Sequence, residues 1–224
     1  MSNKALIVLL LLTAATLADD KRTNAISTLT SPSAELHRRL AAVDELTEMQ
    51  ATAELLRAWA DGGEAVRIAV PVGFHAIGVR ALGPGLTALG DEDERVRAAG
   101  AALLGALGRA GRLGVNRLLI ALNDESALVR RQAALALGNI GAAAENAVSG
   151  LIALAIDRPA EASIAMQAMT RITLDVQLNV ARKPLPERIR DSIRPAESWL
   201  LRMQKPDGSW GDLRTTALVL IALC

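Results

Sequence analysis

The apolar positions of this chain repeat. Between Leu118 and Gly141 (LLIALNDESALVRRQAALALGNIG), Leu119 and Leu122 make one apolar stripe, the polar run Asn123, Asp124, Glu125 and Ser126 interrupts it, and Val129, Ala133, Leu137 and Ile140 make a second. Both stripes advance by three or four residues, the spacing of one helical face, so the segment predicts two short antiparallel helices. The pattern stands 33 residues earlier as Leu86, Leu89, Asp91, Val96, Arg97, Leu104, Gly105, Leu107 and Gly108. It stands 30 residues earlier again as Leu56, Trp59, Asp61, Val66, Arg67, Phe74, Ile77 and Gly78, the three missing residues falling in the loop between units. A degenerate fourth copy, Leu151 to Thr173, keeps Leu151, Ile152 and Asp157. With one residue deleted, Met169 and Ile172 stand for Leu137 and Ile140, and the Arg position falls on Ser163.

A helix pair with one apolar stripe on each member cannot bury both faces alone. Neighbouring pairs must stack, and the many Ala and Gly residues let the helix axes approach. The Gly138 and Gly141 positions read as the end of the second helix, where a left-handed residue costs glycine little. The predicted fold is all-α: an α-α superhelix, a solenoid of about four helix hairpins, followed by one further hairpin.

Upstream, Leu36, Leu40, Val43, Leu46 and Met49 predict an amphipathic helix from Ala34 to about Met49 that caps the first edge of the array. Ser31 reads as its N-cap and Pro32 as its first-turn proline. Residues Asp19 to Ser31 are polar, lack apolar periodicity and read as a tether. Residues 1–18 carry Lys4, an apolar core from Ala5 to Leu12, and small residues Thr16 and Ala18 at the −3 and −1 positions of a cleavage site, which is the pattern of a secretory signal. The apolar stretch is shorter than the ~20 residues that span a bilayer. The resulting division is 1–18 signal peptide, 19–49 tether and capping helix, 50–175 repeat array, 176–193 connector containing Pro184 and Pro186, and 194–224 a last helical unit.

Composition agrees with packed helices. The chain is 51% hydrophobic, yet its aromatics are Trp59, Phe74, Trp199 and Trp210 alone. Loss of Lys4 with the signal turns a net charge of +1 into formal neutrality. A neutral surface without stacking platforms argues against nucleic acid as partner. Cys224 is the single cysteine, so no intrachain disulfide forms despite an exported destination. No membrane span is expected after signal cleavage.

The pattern D-x(4)-VR-x(6)-LG-x-IG, spread over about Leu56 to Thr173, resembles HEAT repeats, specifically the short HEAT-like variety of phycobilisome lyases and bacterial scaffolds. The resemblance implies that Asp61, Asp91 and Asp124 form a structural ladder with Arg67, Arg97 and Arg130. Near the other end, Trp199-Leu200-x(3)-Gln204-x(3)-Gly208-Ser209-Trp210 resembles the QW motif of triterpene cyclases and, more loosely, α/α-toroid prenyltransferase repeats. In that family the Gln and Trp are structural, so Gln204 and Trp210 carry no catalytic expectation.

Chemistry is sparse. Cyclases stabilise cations on aromatic faces, and this chain has no Tyr and one Phe; the run Asp91 to Glu94, superficially like a cyclase acid cluster, falls in a turn of the second unit. His75 stands at the Gly105/Gly138 position near a helix end, and neither it nor His37 has metal-ligand spacing with Cys224. No catalytic residue, cofactor or metal ligand is assigned. The leading reading is a non-enzymatic, exported helical-repeat scaffold that binds a protein or peptide along its second helices, with Arg131, Gln132 and Asn139 as candidate contacts because they lie off the apolar seam. The alternative is the N-terminal part of a HEAT plus α/α-toroid protein, related to prenyltransferases and squalene cyclases, that binds or processes an isoprenoid. Its motivation is the apolar run Leu218 to Cys224, which also predicts self-association through a C-terminal apolar helix.

Overall fold

Each unit expected from the repeat folds as a pair of helices. The computed structural model describes residues 3–182, with side chains over 15–178; among the described residues there are helices and turns and no strand. The chain divides into the units Met1–Asn179 and Val180–Cys224. Helix α1 (Asn3–Thr30) and α2 (Leu36–Glu48) precede four pairs: α3 (Thr52–Asp61) with α4 (Glu64–Ile77), α5 (Leu82–Ala88) with α6 (Glu94–Ala106), α7 (Val115–Ala121) with α8 (Ala127–Ile140), and α9 (Val148–Asp157) with α10 (Ala162–Arg182).

Three 3₁₀ turns join the pairs, Gly78–Ala81, Gly108–Gly114 and Gly141–Ala147. The first has four residues and the other two have seven, which is where the first repeat loses its three residues. Each turn opens on a glycine in the left-handed region, with φ of 65°, 52° and 71° at Gly78, Gly108 and Gly141. That conformation ends the second helix at little cost to a residue without a Cβ.

Gly105 and Gly138 do something else, and the expectation that the Gly138 position ends a helix is corrected. Both lie inside their helices. A Cβ on Gly105 would stand 2.7 Å from the Cα of Ala136, and one on Gly138 would stand 2.9 Å from the Cα of Ala168. Successive second helices therefore meet backbone to backbone. In the first unit the position is His75, whose Nδ1–H donates to the Ala106 carbonyl at 3.1 Å.

The predicted second-helix seam is the core, whereas in the first helix of the third unit Leu118 and Leu122 are buried and the expected Leu119 is half-buried. Val129, Ala133, Leu137 and Ile140 are at most 2% exposed, and Phe74, Leu104, Leu118 and Leu151 are fully buried. Each such leucine or phenylalanine contributes roughly 1.5–3 kcal/mol. Two stretches, Glu64–Ala88 and Ala127–Asp157, are long and apolar enough to cross a membrane by composition. Each is a second helix and the following first helix, bent at Gly78 or Gly141, so its apolar content belongs to the stacking of pairs.

The N-terminal expectations need correction. Residues 19–30 are not a tether but the second half of α1, which buries Ala25 and Leu29 and packs on α2. Two apolar residues four apart make a stripe too short to stand out among polar neighbours. Arg39, 5% exposed, donates to the carbonyls of Leu29 and Ser31, the latter at 2.7 Å, and so ties off the α1 C-terminus. Ser31 and Pro32 leave α1 rather than open α2, whose N-cap position is Glu35. Proline disfavours helical backbone at the residue before it, which explains the stop. At the other end, α10 runs on to Arg182, so residues 176–182 of the expected connector are helical; no Pro or Gly intervenes before Pro184. The rest of the connector and the 194–224 unit lie outside the described residues.

Two substitutions test this packing. Gly105→Ala should lower stability by about 1–3 kcal/mol, because the added methyl overlaps backbone that can only separate. Gln50 has φ of 55° at the exposed turn between α2 and α3, so Gln50→Gly should raise stability by up to about 1 kcal/mol. Denaturant unfolding of both proteins reads the difference, and a neutral Gly105→Ala would mean that the second helices do not interlock as described.

Candidate functional site

The charged residues of the repeat build a ladder along the turns within the pairs. Arg97, in the first turn of α6, donates through Nε and Nη2 to the two carboxylate oxygens of Asp124 in the next unit, at 2.8 and 3.0 Å. Its Nη1 donates to the carbonyls of Asp91 and Glu92 at 3.0 and 2.9 Å. One guanidinium thus fastens its own turn and the neighbouring unit, a use of the planar fork that lysine cannot copy. Arg130 repeats the design, donating through Nη1 to the carbonyls of Asp124 and Glu125, both at 2.8 Å, and through Nη2 to Glu161 Oε1 at 2.6 Å.

The ladder departs from expectation at both ends. In the fourth unit the carboxylate is Glu161, 4% exposed, while Asp157 is exposed. Glu161 lies in the 3₁₀ turn Pro159–Glu161 directly before α10, and it offers Arg130 a single oxygen. Arg130 Nε is accordingly buried without a hydrogen-bond partner among the described residues. The one-residue deletion hid this residue from the repeat alignment; an acid immediately ahead of the second helix was the available signal. In the first unit Arg67 and Asp61 form no rung. Arg67 lies over the Trp59 ring, 5.0 Å from its centroid, and Asp61 stands 3.4 Å from Arg95. Trp59 occupies the place of Leu89 and Leu122, and its π face holds the cation.

The acidic turn Asp91 to Glu94 has structural roles. Asp91 Oδ1 accepts from the Asp93 N–H, and Asp93 caps α6 by accepting from the Arg95 N–H at 2.8 Å. The side-chain hydrogen bond from Arg95 holds the Asp93 carboxyl below its ordinary range, so it stands ionised at neutral pH with no proton to donate. Among the described residues no group of three or more His, Cys, Asp or Glu is placed to hold a metal ion.

The sequence-predicted contacts share one exposed strip of α8. Arg131 is exposed and makes no hydrogen bond or ion pair to another described residue, and Gln132 is half-buried. Asn139, two turns on, is exposed and accepts from Arg171 Nη1 of α10 at 2.5 Å. On the other second helices the outward positions include Ile68 and Val72 on α4, 62% and 50% exposed, the half-buried Ala102 and Ala106 on α6, and the exposed Gln167 and Arg171 on α10, whereas the α6 counterparts of Arg131 and Gln132, Ala98 and Ala99, are buried. The second-helix surface is therefore apolar at α4, small-sided at α6 and mixed at α10, where Met166 and Leu174 are exposed beside Gln167 and Arg171.

Burial pushes the Asp124 carboxyl up, but the Arg97 hydrogen bonds, the Ser126 N–H and the charges of Arg97 and Arg130 outweigh it and leave it below its ordinary range. A carboxyl depressed in the fold contributes stability that is present above its unfolded pKa, about 3.9, and is lost as pH falls through the folded value. Acid titration of stability should therefore show a loss beginning near pH 4, and Asp124→Asn should flatten it while lowering stability at neutral pH. Arg97→Met, which strands a largely buried carboxylate, should cost about 3 kcal/mol.

Residues 79–170 match the HEAT repeats family, and no curated protein matches the chain. The matched stretch runs from the first inter-repeat turn into α10 and so takes in the pairs α5/α6 and α7/α8, with α9 and the start of α10. Stacked helix pairs and inter-repeat Arg–carboxylate rungs agree with this similarity and give the all-α array a HEAT-like superhelical architecture.

Proposed function

We propose that the chain is an exported, non-enzymatic scaffold that binds a protein or peptide partner along its second-helix surface. HEAT repeats commonly mediate protein interactions. The observation that carries the reading is the division of labour among the arginines. Arg97 and Arg130 are consumed in holding units together, whereas Arg131, beside Arg130 on the same helix, is exposed and unengaged by the described residues. The strip of Arg131, Gln132 and Asn139 is separated by α6, with its small Ala102 and Ala106, from the exposed Ile68 and Val72 of α4, and a partner long enough to cover both would bury apolar area and find polar groups at the rim. Export rests on the Lys4, Ala5 to Leu12, Ala18 pattern, which predicts a processed N-terminus at Asp19.

A second reading rests on the Trp199 to Trp210 motif and makes the chain part of a HEAT plus α/α-toroid protein with an isoprenoid ligand. Binding of a fluorescent farnesyl probe by the full chain, abolished by Trp210→Ala, would favour it.

A photo-crosslinking residue at Gln132 should give one discrete adduct from the exported fraction, and Arg131→Glu with Gln132→Glu should remove that adduct while circular dichroism is unchanged. Mass spectrometry of the exported protein should start at Asp19. A chain that keeps residues 1–18, or a partner indifferent to every second-helix surface change, would sink the corresponding part of the reading.

A further inference from the structure

The array carries its charges on two separate edges. Acidic residues cluster in the turns within pairs: there are none between residues 65 and 90 and none between 95 and 123. The arginines on that edge, Arg95, Arg97 and Arg130, are paired with carboxylates. The opposite edge, formed by the turns between pairs, holds Arg80 in the first turn, Arg109 and Arg112 in the second, and Arg117 one turn into α7. All four are exposed, and none makes a hydrogen bond or ion pair to another described residue. The first turn touches the second and the second touches the third, so these cations share one continuous surface.

Two further features give that surface a chemistry. Val79 and Leu113, each next to one of these arginines in sequence, are 65% and 68% exposed, an unusual position for branched apolar side chains. Between the second and third turns an open cleft of about 620 Å³ is lined by Arg112, Leu113, Asn116 and Asn146, with Glu145 closing the basic surface on the far side. No lysine stands between residues 22 and 182, so the cationic side chains there are arginines, whose fork takes a carboxylate with two parallel hydrogen bonds. Primary amides such as Asn116 and Asn146 donate and accept, which complements a peptide unit.

We propose that this edge docks an acidic segment of a protein partner, its carboxylates on Arg80, Arg109, Arg112 and Arg117 and an apolar side chain beside Leu113 in the cleft. The proposal rests on the protein-binding reading above and names the partner's chemistry. A nucleic acid would lack stacking partners here, since Trp59 and Phe74 are buried. Neither Val79 nor Leu113 is backed by further exposed apolar residues in its own turn, which gives a bilayer little to bury.

The test uses the full chain and a fluorescent synthetic peptide of repeating Glu-Glu-Leu, with its Gln-Gln-Leu counterpart as control. The Glu peptide should bind, the Gln peptide should not, and added salt should weaken the complex. Arg109→Glu with Arg112→Glu should weaken binding at least tenfold, and Arg80→Glu with Arg117→Glu should do the same should the first variant fold poorly. Arg57→Glu, on the outer face of α3, should leave binding unchanged. No binding of the Glu peptide, binding by the folded edge variants as tight as by the unaltered chain, or preference for anionic phosphatidylserine vesicles or single-stranded DNA over the peptide would overturn the proposal. So would salt-sensitive self-association, abolished by the edge variants, that blocks the peptide, because the occupant would then be the acidic edge of a second copy. If the Gln132 adduct forms equally in the edge variants, the docking edge is wrong and the scaffold reading stands; if no adduct forms at all while the peptide binds, the reverse holds.

Discussion

The closest contact in the array is between backbones. Gly105 lies against Ala136 and Gly138 against Ala168, at separations that leave no room for a methyl group. Because dispersion and apolar burial fall off within a fraction of an ångström of optimal contact, this approach sets how well everything else packs. It brings the Leu103/Leu104 and Val129/Leu137 layers into one continuous core. The first unit, with His75 at this position, meets its neighbour through a side-chain hydrogen bond instead. The array is thus tightest through its second, third and fourth pairs.

The polar ladder depends on that spacing. An arginine side chain reaches only as far as its extended stem, and Arg97 meets both oxygens of Asp124 because the second helices are close. Buried or half-buried guanidinium groups must be matched in charge and in hydrogen bonds. Here the carbonyls of the turn and the carboxylate of the next unit do so together, fixing each pair's turn and the register between pairs with the same group. Arg130 shows how sensitive the arrangement is: Glu161 stands in for Asp and satisfies one fewer donor. Arg39 applies the same chemistry without a carboxylate, using carbonyls at the end of α1.

Function follows from what the ladder leaves over. Arginines with partners are architecture, and those without are available to other molecules. Of the free arginines among the described residues, Arg131 lies on the α8 strip and Arg80, Arg109, Arg112 and Arg117 on the edge made by the inter-repeat turns, while Arg38, Arg57 and Arg158 stand apart from both; the strip and the edge meet where Gly108 passes the carbonyl of Asn139. Such a surface has contact chemistry suited to holding an extended partner, with apolar residues interspersed among polar groups.

The sequence by itself determined the units. A 33-residue recurrence of leucine, aspartate, arginine and glycine is enough to place helices, turns, the seam and even the three residues missing from the first inter-repeat turn, because those features depend on local periodicity and on glycine's access to left-handed backbone. What the sequence could not settle was anything set by a neighbour. Gly138 looked like a helix end because its role is defined by Ala168, thirty residues away; the carboxylate facing Arg130, Glu161, went unassigned because it lies in the degenerate fourth unit, directly before α10. Residues 19–30 read as a tether because two buried side chains carry no periodicity of their own, and only the packing of α1 on α2, with Arg39 between them, made that stretch a helix. Local pattern is written in the chain; the partner across a packed interface is chosen by geometry that only the assembled fold contains.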